Sequence, residues 1–332
     1  MNILIATDAW HPQVNGVART LSMTICSLEE MGHEVRTVNP SQYKTVTAPL
    51  TSDVRLPIWV RSSSLKPHLD WADCVHVSTE GPIGLAVRRL CLRSGSRFTT
   101  AYHTDIPGFV HKALGFGSSL AKAYLRWFHA QSSCVMATTQ RNAEELKSDG
   151  HRQPIKLWSR GVDTDTFRPA KKHRSERVRL VYCGRVSPEK GISEFLELDN
   201  RYEKTVIGDG ISLEECKRQH PGVRFTGFLH GRELASELAS HDIFVFPSRF
   251  DTFGLVVIEA MSCGLPVACH DVRGPGEIVQ GARRLGSAQD DLSEAVKACL
   301  DLIEANDSRN HVLQHYTWRN ATCQFLANLV PK

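Results

Sequence analysis

The sequence predicts an α/β chain built from two doubly wound, Rossmann-like domains. Three observations carry this. Short β-rich runs alternate with amphipathic helical patterns along the whole length, as strands joined by crossover helices do. The alternation stops at Phe167-Arg168-Pro169-Ala170-Lys171-Lys172-His173-Arg174-Ser175-Glu176-Arg177, which is almost free of apolar side chains, and then starts again. The glycine-bearing and charged motifs fall on connections from strand to helix, and open sheets bind ligands at the carboxyl ends of their strands. The expected boundaries are a first domain over 1–168, a linker over 169–177, a second domain over 178–312, and a C-terminal helix over 313–332 packing back across the domains. Two such sheets with facing carboxyl edges imply an interdomain cleft.

The elements follow in order. Residues 2–7 read as a strand. A helix follows from about Val17, with Val17, Leu21, Ile25, Leu28 and Met31 at helical spacing and Gly32 placed to end it. Strands are expected at 34–38 and near 74–78, 97–102, 134–138 and 155–158, with helices near 82–93, 118–130 and 140–148. After the linker, a strand at 178–183 leads through a glycine turn to a helix from about 191. Further strands are expected near 204–207, 223–226, 242–246 and 266–270. A last helix follows Tyr316-Thr317-Trp318.

Composition narrows the function. Of 332 residues, 41% are hydrophobic and 23% charged, which excludes a disordered or fibrous chain. No apolar run nears the roughly 20 residues of a spanning helix. The start, Met1-Asn2-Ile3-Leu4-Ile5-Ala6-Thr7-Asp8, has no basic region and reaches an acid at position 8, so it reads as a strand rather than a signal peptide. The ten cysteines form no Cys-x-x-Cys pair, which points to reduced thiols, a cytoplasmic location and no metal site. The net charge of +4 is too small to indicate nucleic acid. Within it, residues 1–170 carry 19 Lys and Arg against 14 Asp and Glu. That excess fits an anionic partner or surface, or carries no function at all.

The most informative stretch runs from Phe246-Pro247-Ser248 through Asp251-Thr252-Phe253-Gly254-Leu255 to Glu259-Ala260-Met261-Ser262-Cys263-Gly264-Leu265-Pro266-Val267. A buried strand ends at Pro247 and a helix begins near Phe253-Gly254. Gly254 admits a ligand to the first-turn amides, and helix N-termini attract anions. A carboxylate at Glu259, among Leu255, Val256, Ile258 and Met261, is costly to bury without a partner. Taken alone, Asp251 would be a helix cap and Glu259 an exposed residue on a core helix.

Taken together, the acid, the seven-residue spacing, the glutamate and the flanking motif resemble the signature of the retaining glycosyltransferases of family 4. That resemblance implies the GT-B architecture of two facing Rossmann-like domains. It assigns sugar hydroxyls to Asp251 and the nucleotide ribose to Glu259. Most of the family has Glu at the first position. Asp251 is one methylene shorter and looks like the branch of mannosyltransferases and glycolipid glycosyltransferases.

Other matches extend along the chain. Gly184-Arg185-Val186-Ser187-Pro188-Glu189-Lys190-Gly191 resembles the loop whose Arg and Lys hold the donor diphosphate; fixed cations lower the barrier as the leaving group gains charge. Gly16, in Thr7-Asp8-Ala9-Trp10-His11-Pro12-Gln13-Val14-Asn15-Gly16, matches the family's N-terminal glycine loop. Tyr102-His103-Thr104-Asp105 resembles an element whose histidine lies at the transfer centre, with Asp105 a secondary candidate. Arg160-Gly161-Val162-Asp163 matches a hinge, where Arg160 either binds donor or fixes the hinge. Asp209, in Gly208-Asp209-Gly210, lies in a loop the family places near the nucleotide. Glu277 is a base or ribose contact by the same comparison.

The resemblance thus assigns His103, Arg185, Lys190 and Asp251 to catalysis. It assigns Gly16, Arg160, Gly184, Asp209, Phe253, Gly254, Leu255 and Glu259 to the nucleotide-sugar. It implies no metal and no cofactor, because Arg185, Lys190 and helix amides take the metal's place. The donor is GDP-mannose by resemblance, with UDP-hexose next, and the acceptor is a lipid or a saccharide. A sugar-nucleotide epimerase and a non-catalytic sugar-nucleotide binding protein are the alternatives. Residues 106–143 contain no acid but carry Lys112, Lys122, Arg126 and Arg141 with Phe109, Phe116, Trp127 and Phe128. That is the composition of a helix lying on an anionic membrane surface, as at the inner face of a cell membrane, or of an amphipathic helix with its aromatic face in the core.

Overall fold

The computed structural model describes residues 1–13, 15–47, 55–171 and 175–332. The expected linker at 169–177 therefore lies partly outside the described residues, as does Val14 of the N-terminal glycine loop. The chain forms two compact units. The first is Met1–Ser159 with Trp318–Lys332, and the second is Arg160–Thr317.

The first unit holds a parallel sheet of six strands: β1 (Asn2–Ala6), β2 (Glu34–Val38), β5 (Cys74–Val77), β6 (Thr99–Tyr102), β7 (Val135–Ala137) and β8 (Ile155–Leu157). Between β2 and β5 comes a small antiparallel pair, β3 (Thr45–Thr47) and β4 (Arg55–Pro57), which the sequence reading did not foresee. The sheet order is β2-β1-β5-β6-β7-β8. The second unit repeats the plan with β9 (Arg179–Cys183), β10 (Glu203–Ile207), β11 (Arg224–Gly227), β12 (Ile243–Phe246), β13 (Val267–Cys269) and β14 (Gly286–Ala288), in the order β11-β10-β9-β12-β13-β14. Renumbered within the unit, this is 3-2-1-4-5-6, the order of a doubly wound nucleotide-binding sheet.

The central strands are buried on both faces, and the pleat divides their side chains between two cores. Along β9, Val181 and Cys183 join Phe244, Val257, Ile258 and Met261 on one face. Leu180 and Tyr182 join Ile192, Phe195, Ile243 and Val245 on the other. In the first unit, Leu4 and Ala6 pack with Val75, Ile83 and Val87, while Ile3 and Ile5 pack with Leu21, Trp158 and Phe325.

Phe325 lies on the helix Trp318–Asn328, so the last helix completes the core of the first unit. Residues 160–168 lie in the second unit instead of the first, for a physical reason. The Arg309 guanidinium donates to the carbonyls of Phe167 (2.6 Å) and Thr164 (2.9 Å), and the Ser262 hydroxyl also donates to Phe167 (2.6 Å). The Phe167 ring is buried in the core built on β12.

In doubly wound sheets the strand order reverses at one point, and ligands bind there. In the first unit this point is between β1 and β5, and Asp8 fills it. Its carboxylate accepts from the amides of Ile83 (2.9 Å) and Gly84 (3.3 Å) and the hydroxyl of Thr79 (2.8 Å). These amides open the helix Pro82–Ser94. Burial pushes the Asp8 carboxyl up from 3.8 to about 6, partly offset by the hydrogen bonds and reinforced by Glu80. The folded state thus holds the Asp8 proton more tightly than the unfolded chain does. That contribution to stability is complete below 3.8 and disappears as pH rises through 6. In urea titrations, wild type should gain on Asp8→Asn by up to about 3 kcal/mol between pH 7 and pH 4. A difference that stays flat with pH would refute the raised carboxyl.

Candidate active site

The second sheet reverses between β9 and β12, and the loops leaving those two strands meet. Lys190 ends a 3-10 turn, Pro188–Lys190, on the β9 side. Its Nζ donates to both carboxylate oxygens of Asp251, each at 2.8 Å, from the loop after β12. Both side chains remain partly open to solvent, at 28% and 22%. The pair is therefore close and accessible to a ligand at the switch point.

The β9 loop is held from beneath. The Tyr182 hydroxyl donates to the Arg185 carbonyl (2.6 Å), Gly184 N donates to Ile207 O (3.0 Å), and Val186 N donates to Asp209 O (2.9 Å). The Arg185 guanidinium stays half exposed, with Glu189 at 3.9 Å. Asp209 is exposed, and its carboxylate accepts from Gly210 N at 2.7 Å. Lys190 and Arg185 thus lie on one loop, braced by the strand end and by the loop of Asp209.

On the β12 side, Gly254 has φ +85° and caps the helix Leu255–Ser262. Only a residue without Cβ adopts this geometry cheaply. The Phe253 ring is buried, 5.9 Å from Tyr316, so this residue can offer a ligand its backbone rather than its ring. Glu259 is 1% exposed, which removes the reading of an exposed residue on a core helix. Arg160 is buried too, and burial pushes its guanidinium down to about 9. Glu277 lies half-buried in the first turn of Pro275–Gln280. Together with burial, the larger cause, it raises the Tyr316 hydroxyl to about 12.

In the first unit, His103 follows β6 directly and packs edge-on to Trp158 with ring centres 5.3 Å apart. Asp105 caps the helix Ile106–Leu114, accepting from Gly108 N at 2.9 Å, which accounts for its carboxylate structurally. Gly16 begins the helix Gly16–Glu30, capped by Asn15. Asp163, in the hinge match, accepts from the amides of Asp165 and Thr166 and turns the chain there.

The aromatic stripe of 118–130 divides between core and solvent. On the helix Ser118–His129, Leu125 and Phe128 are buried, while Leu120 is 78% exposed. Lys122 pairs with Asp149 (2.8 Å) and Arg126 donates to the Asp149 carbonyl, so these two cations are engaged within the unit. Sequence reasoning also missed Tyr182, Arg309 and Asp8 as residues that place loops. Asp8 and Arg309 act through contacts with distant segments, and Tyr182 through a backbone carbonyl three residues on, and none of these leaves a motif to read.

Comparison with known proteins identifies the family. Residues 14–166 match the model for "Glycosyltransferase Family 4", and residues 177–305 match "Glycosyl transferases group 1". The two matches take in most of the chain. The chain belongs to glycosyltransferase family 4. It is an enzyme of the retaining class, in a family whose members move a sugar from a nucleotide-sugar donor to a glycolipid or saccharide acceptor.

A Mycobacterium tuberculosis protein named GDP-mannose-dependent alpha-mannosyltransferase is 26% identical over 308 residues, covering 84% of this chain and 81% of that one. A sulfoquinovosyl transferase of Arabidopsis thaliana is 28% identical, covering 75% and 55%. Among solved structures, Anabaena HepE in complex with UDP superposes with a TM-score of 0.73 at 16% identity, covering 98% of this chain and 99% of that one. Sucrose-phosphate synthase from Thermosynechococcus elongatus gives 0.76 at 15%, covering 98% and 97%. These likenesses establish the GT-B fold of this family 4 glycosyltransferase.

The Lys190 turn depends on the residue after it. Gly191 has φ +70°, and a Cβ there would lie 2.7 Å from the Pro247 carbonyl oxygen. Gly191→Ala should destabilise the protein by about 1–3 kcal/mol through left-handed strain alone, with the clash added. A melting temperature equal to wild type would show that the two loops do not meet at this distance.

Proposed function

We propose that this enzyme transfers a hexose from a nucleotide-sugar to a lipid or saccharide acceptor with retention at the anomeric carbon, and that the donor is GDP-mannose. The observation that carries the reading is the Lys190–Asp251 pair at the β9–β12 switch point. A diphosphate needs a fixed cation and a sugar needs a carboxylate, and here the two stand 2.8 Å apart. GDP-mannose is supported by the names of three relatives at 26–28% identity. UDP-hexose is the second reading, favoured by the UDP complex of the Anabaena fold neighbour.

The residues then take these roles. Lys190 and Arg185 neutralise the diphosphate as it leaves, helped by the amides at Gly254 and Leu255, the positive end of a helix. Asp251, released from Lys190, accepts from sugar hydroxyls. Glu259 accepts from the ribose, and Gly184 and Asp209 border the nucleotide. Arg160 and Glu277 support the same unit, while Gly16 and His103, in the first unit, serve the acceptor. In the reaction, the bond from C1 to the diphosphate oxygen breaks, and a bond from C1 to the acceptor oxygen forms on the same face. The acceptor proton passes to the diphosphate, so the products are a nucleoside diphosphate and an α-glycoside.

A panel of nucleotide-sugars scored by thermal shift tests the donor: a true donor at 100 times its Kd adds about 2.7 kcal/mol of stability. With that donor, Lys190→Ala and Arg185→Ala should each lower turnover by about 10²–10³-fold, the loss of a preorganised charge contact. NMR coupling of the product should report the α anomer. A β product, or full turnover in both variants, overturns the reading.

For the acceptor, a membrane-bound lipid is supported by an exposed apolar patch. Phe109, Leu114, Phe116, Leu120 and Trp127 all reach solvent. Among the described residues no helix is long and apolar enough to cross a membrane; the association proposed is peripheral. The protein should pellet with anionic liposomes at low salt, and Phe116→Ser with Leu120→Ser should abolish pelleting while the melt stays unchanged. Wild type that ignores such liposomes favours a soluble saccharide acceptor.

A further inference from the structure

Glu194 sits four residues after Lys190, on the short helix Ile192–Leu196. Ile192, Phe195 and Leu196 bury one side of that helix, while the Glu194 side chain is 42% exposed. Its carboxylate makes two contacts that the site described above does not use. Oε2 lies 2.7 Å from His270 Nε2 and 3.4 Å from Arg249 Nη2. His270 follows β13 and is 1% exposed. Its other ring nitrogen faces the Asp290 carbonyl at 3.1 Å. Both ring nitrogens are thus engaged, one by the Glu194 carboxylate and the other by a backbone carbonyl. Glu194 therefore stands between an imidazole ring and a guanidinium. One is buried at the end of β13, and the other is on the loop after β12, two residues before Asp251.

The loops after β9 and β12 are thus joined twice. One link is Lys190–Asp251, and the other is Glu194–Arg249, anchored on His270. A bound diphosphate competes for Lys190 and a bound sugar competes for Asp251, so donor binding opens the first link. The second contains neither group. A helix of five residues has little stability of its own, so its position depends on its buried face and on such side-chain ties.

We propose that Glu194 is a positioning residue of the donor site. It keeps the Lys190 turn and the Asp251 loop in register while the donor separates Lys190 from Asp251. This rests on the reading of Lys190 as a diphosphate ligand.

The test measures GDP and UDP binding by calorimetry, donor KM and kcat, and the thermal melt, for Glu194→Ala, Glu194→Gln and Lys190→Ala. Glu194→Ala should weaken nucleotide binding and raise donor KM about fivefold, equivalent to about 1 kcal/mol. Its kcat should stay within about twofold of wild type, since no group at the reacting atoms is lost. Glu194→Gln should recover most of the affinity, because its carboxamide oxygen still accepts from His270 or Arg249. A role confined to stability would instead lower the melt and leave KM unchanged in the folded fraction, which overturns the proposal.

If Lys190→Ala loses binding and Glu194→Ala does not, the donor site stands and the role of Glu194 falls. If Lys190→Ala binds nucleotide normally, the donor-site reading itself fails and takes this inference with it. Should Glu194→Ala not fold, Arg249→Gln cuts the same link at a half-exposed side chain. A fivefold loss of affinity there supports the proposal, and unchanged affinity overturns it.

Discussion

The site in the second unit depends on one constraint: two oppositely charged side chains from different strands must meet where the sheet changes direction. Lys190 and Asp251 are 61 residues apart in the chain, and each sits on a loop with little regular structure. Parallel pairing of β9 with β12 brings the loops side by side. The ion pair then neutralises both groups at 2.8 Å in a partly buried place. Such a pair contributes modestly to stability, because partial exposure weakens the attraction and desolvation opposes it. Both groups stay partly open to solvent, so a ligand at the switch point can reach them.

The two sheets share a plan and differ in what occupies their switch points. In the first unit the helix N-terminus at that point is already satisfied by the buried Asp8 carboxylate, bound to two amides and a hydroxyl. That position repels a second anion. In the second unit the corresponding edge carries Lys190, Arg185 and a helix start opened by Gly254. The two edges thus differ in charge, although both come from the same topology.

The helix Ser118–His129 illustrates how packing divides a sequence pattern. Its aromatic and cationic residues suit either a core or a membrane surface, and the helix serves both directions. Leu125 and Phe128 fill the core, and Leu120 with neighbouring Phe116 remain in solvent. Asp149 engages Lys122 and Arg126, so any attraction to lipid here rests more on apolar area than on those two charges.

The strand and helix pattern was legible in the sequence because periodicity is local. The strands near 74–78 and 242–246 and the helices near 82–93 and 140–148 lie within a residue or two of where they were expected. The strands β3, β4 and β14 were not foreseen; each has three residues, and none is the apolar run that marked the equally short β7 and β13. The motif segments also stood out in the sequence, because glycine beside charge at the end of a strand is an uncommon combination. What only the tertiary structure decided is which of those residues meet. Lys190 with Asp251, Glu194 with His270 across 76 positions, and Arg309 with Phe167 across 142 are set by strand order and crossover length. No local spacing encodes them, since a contact between distant segments depends on how the whole sheet is wound.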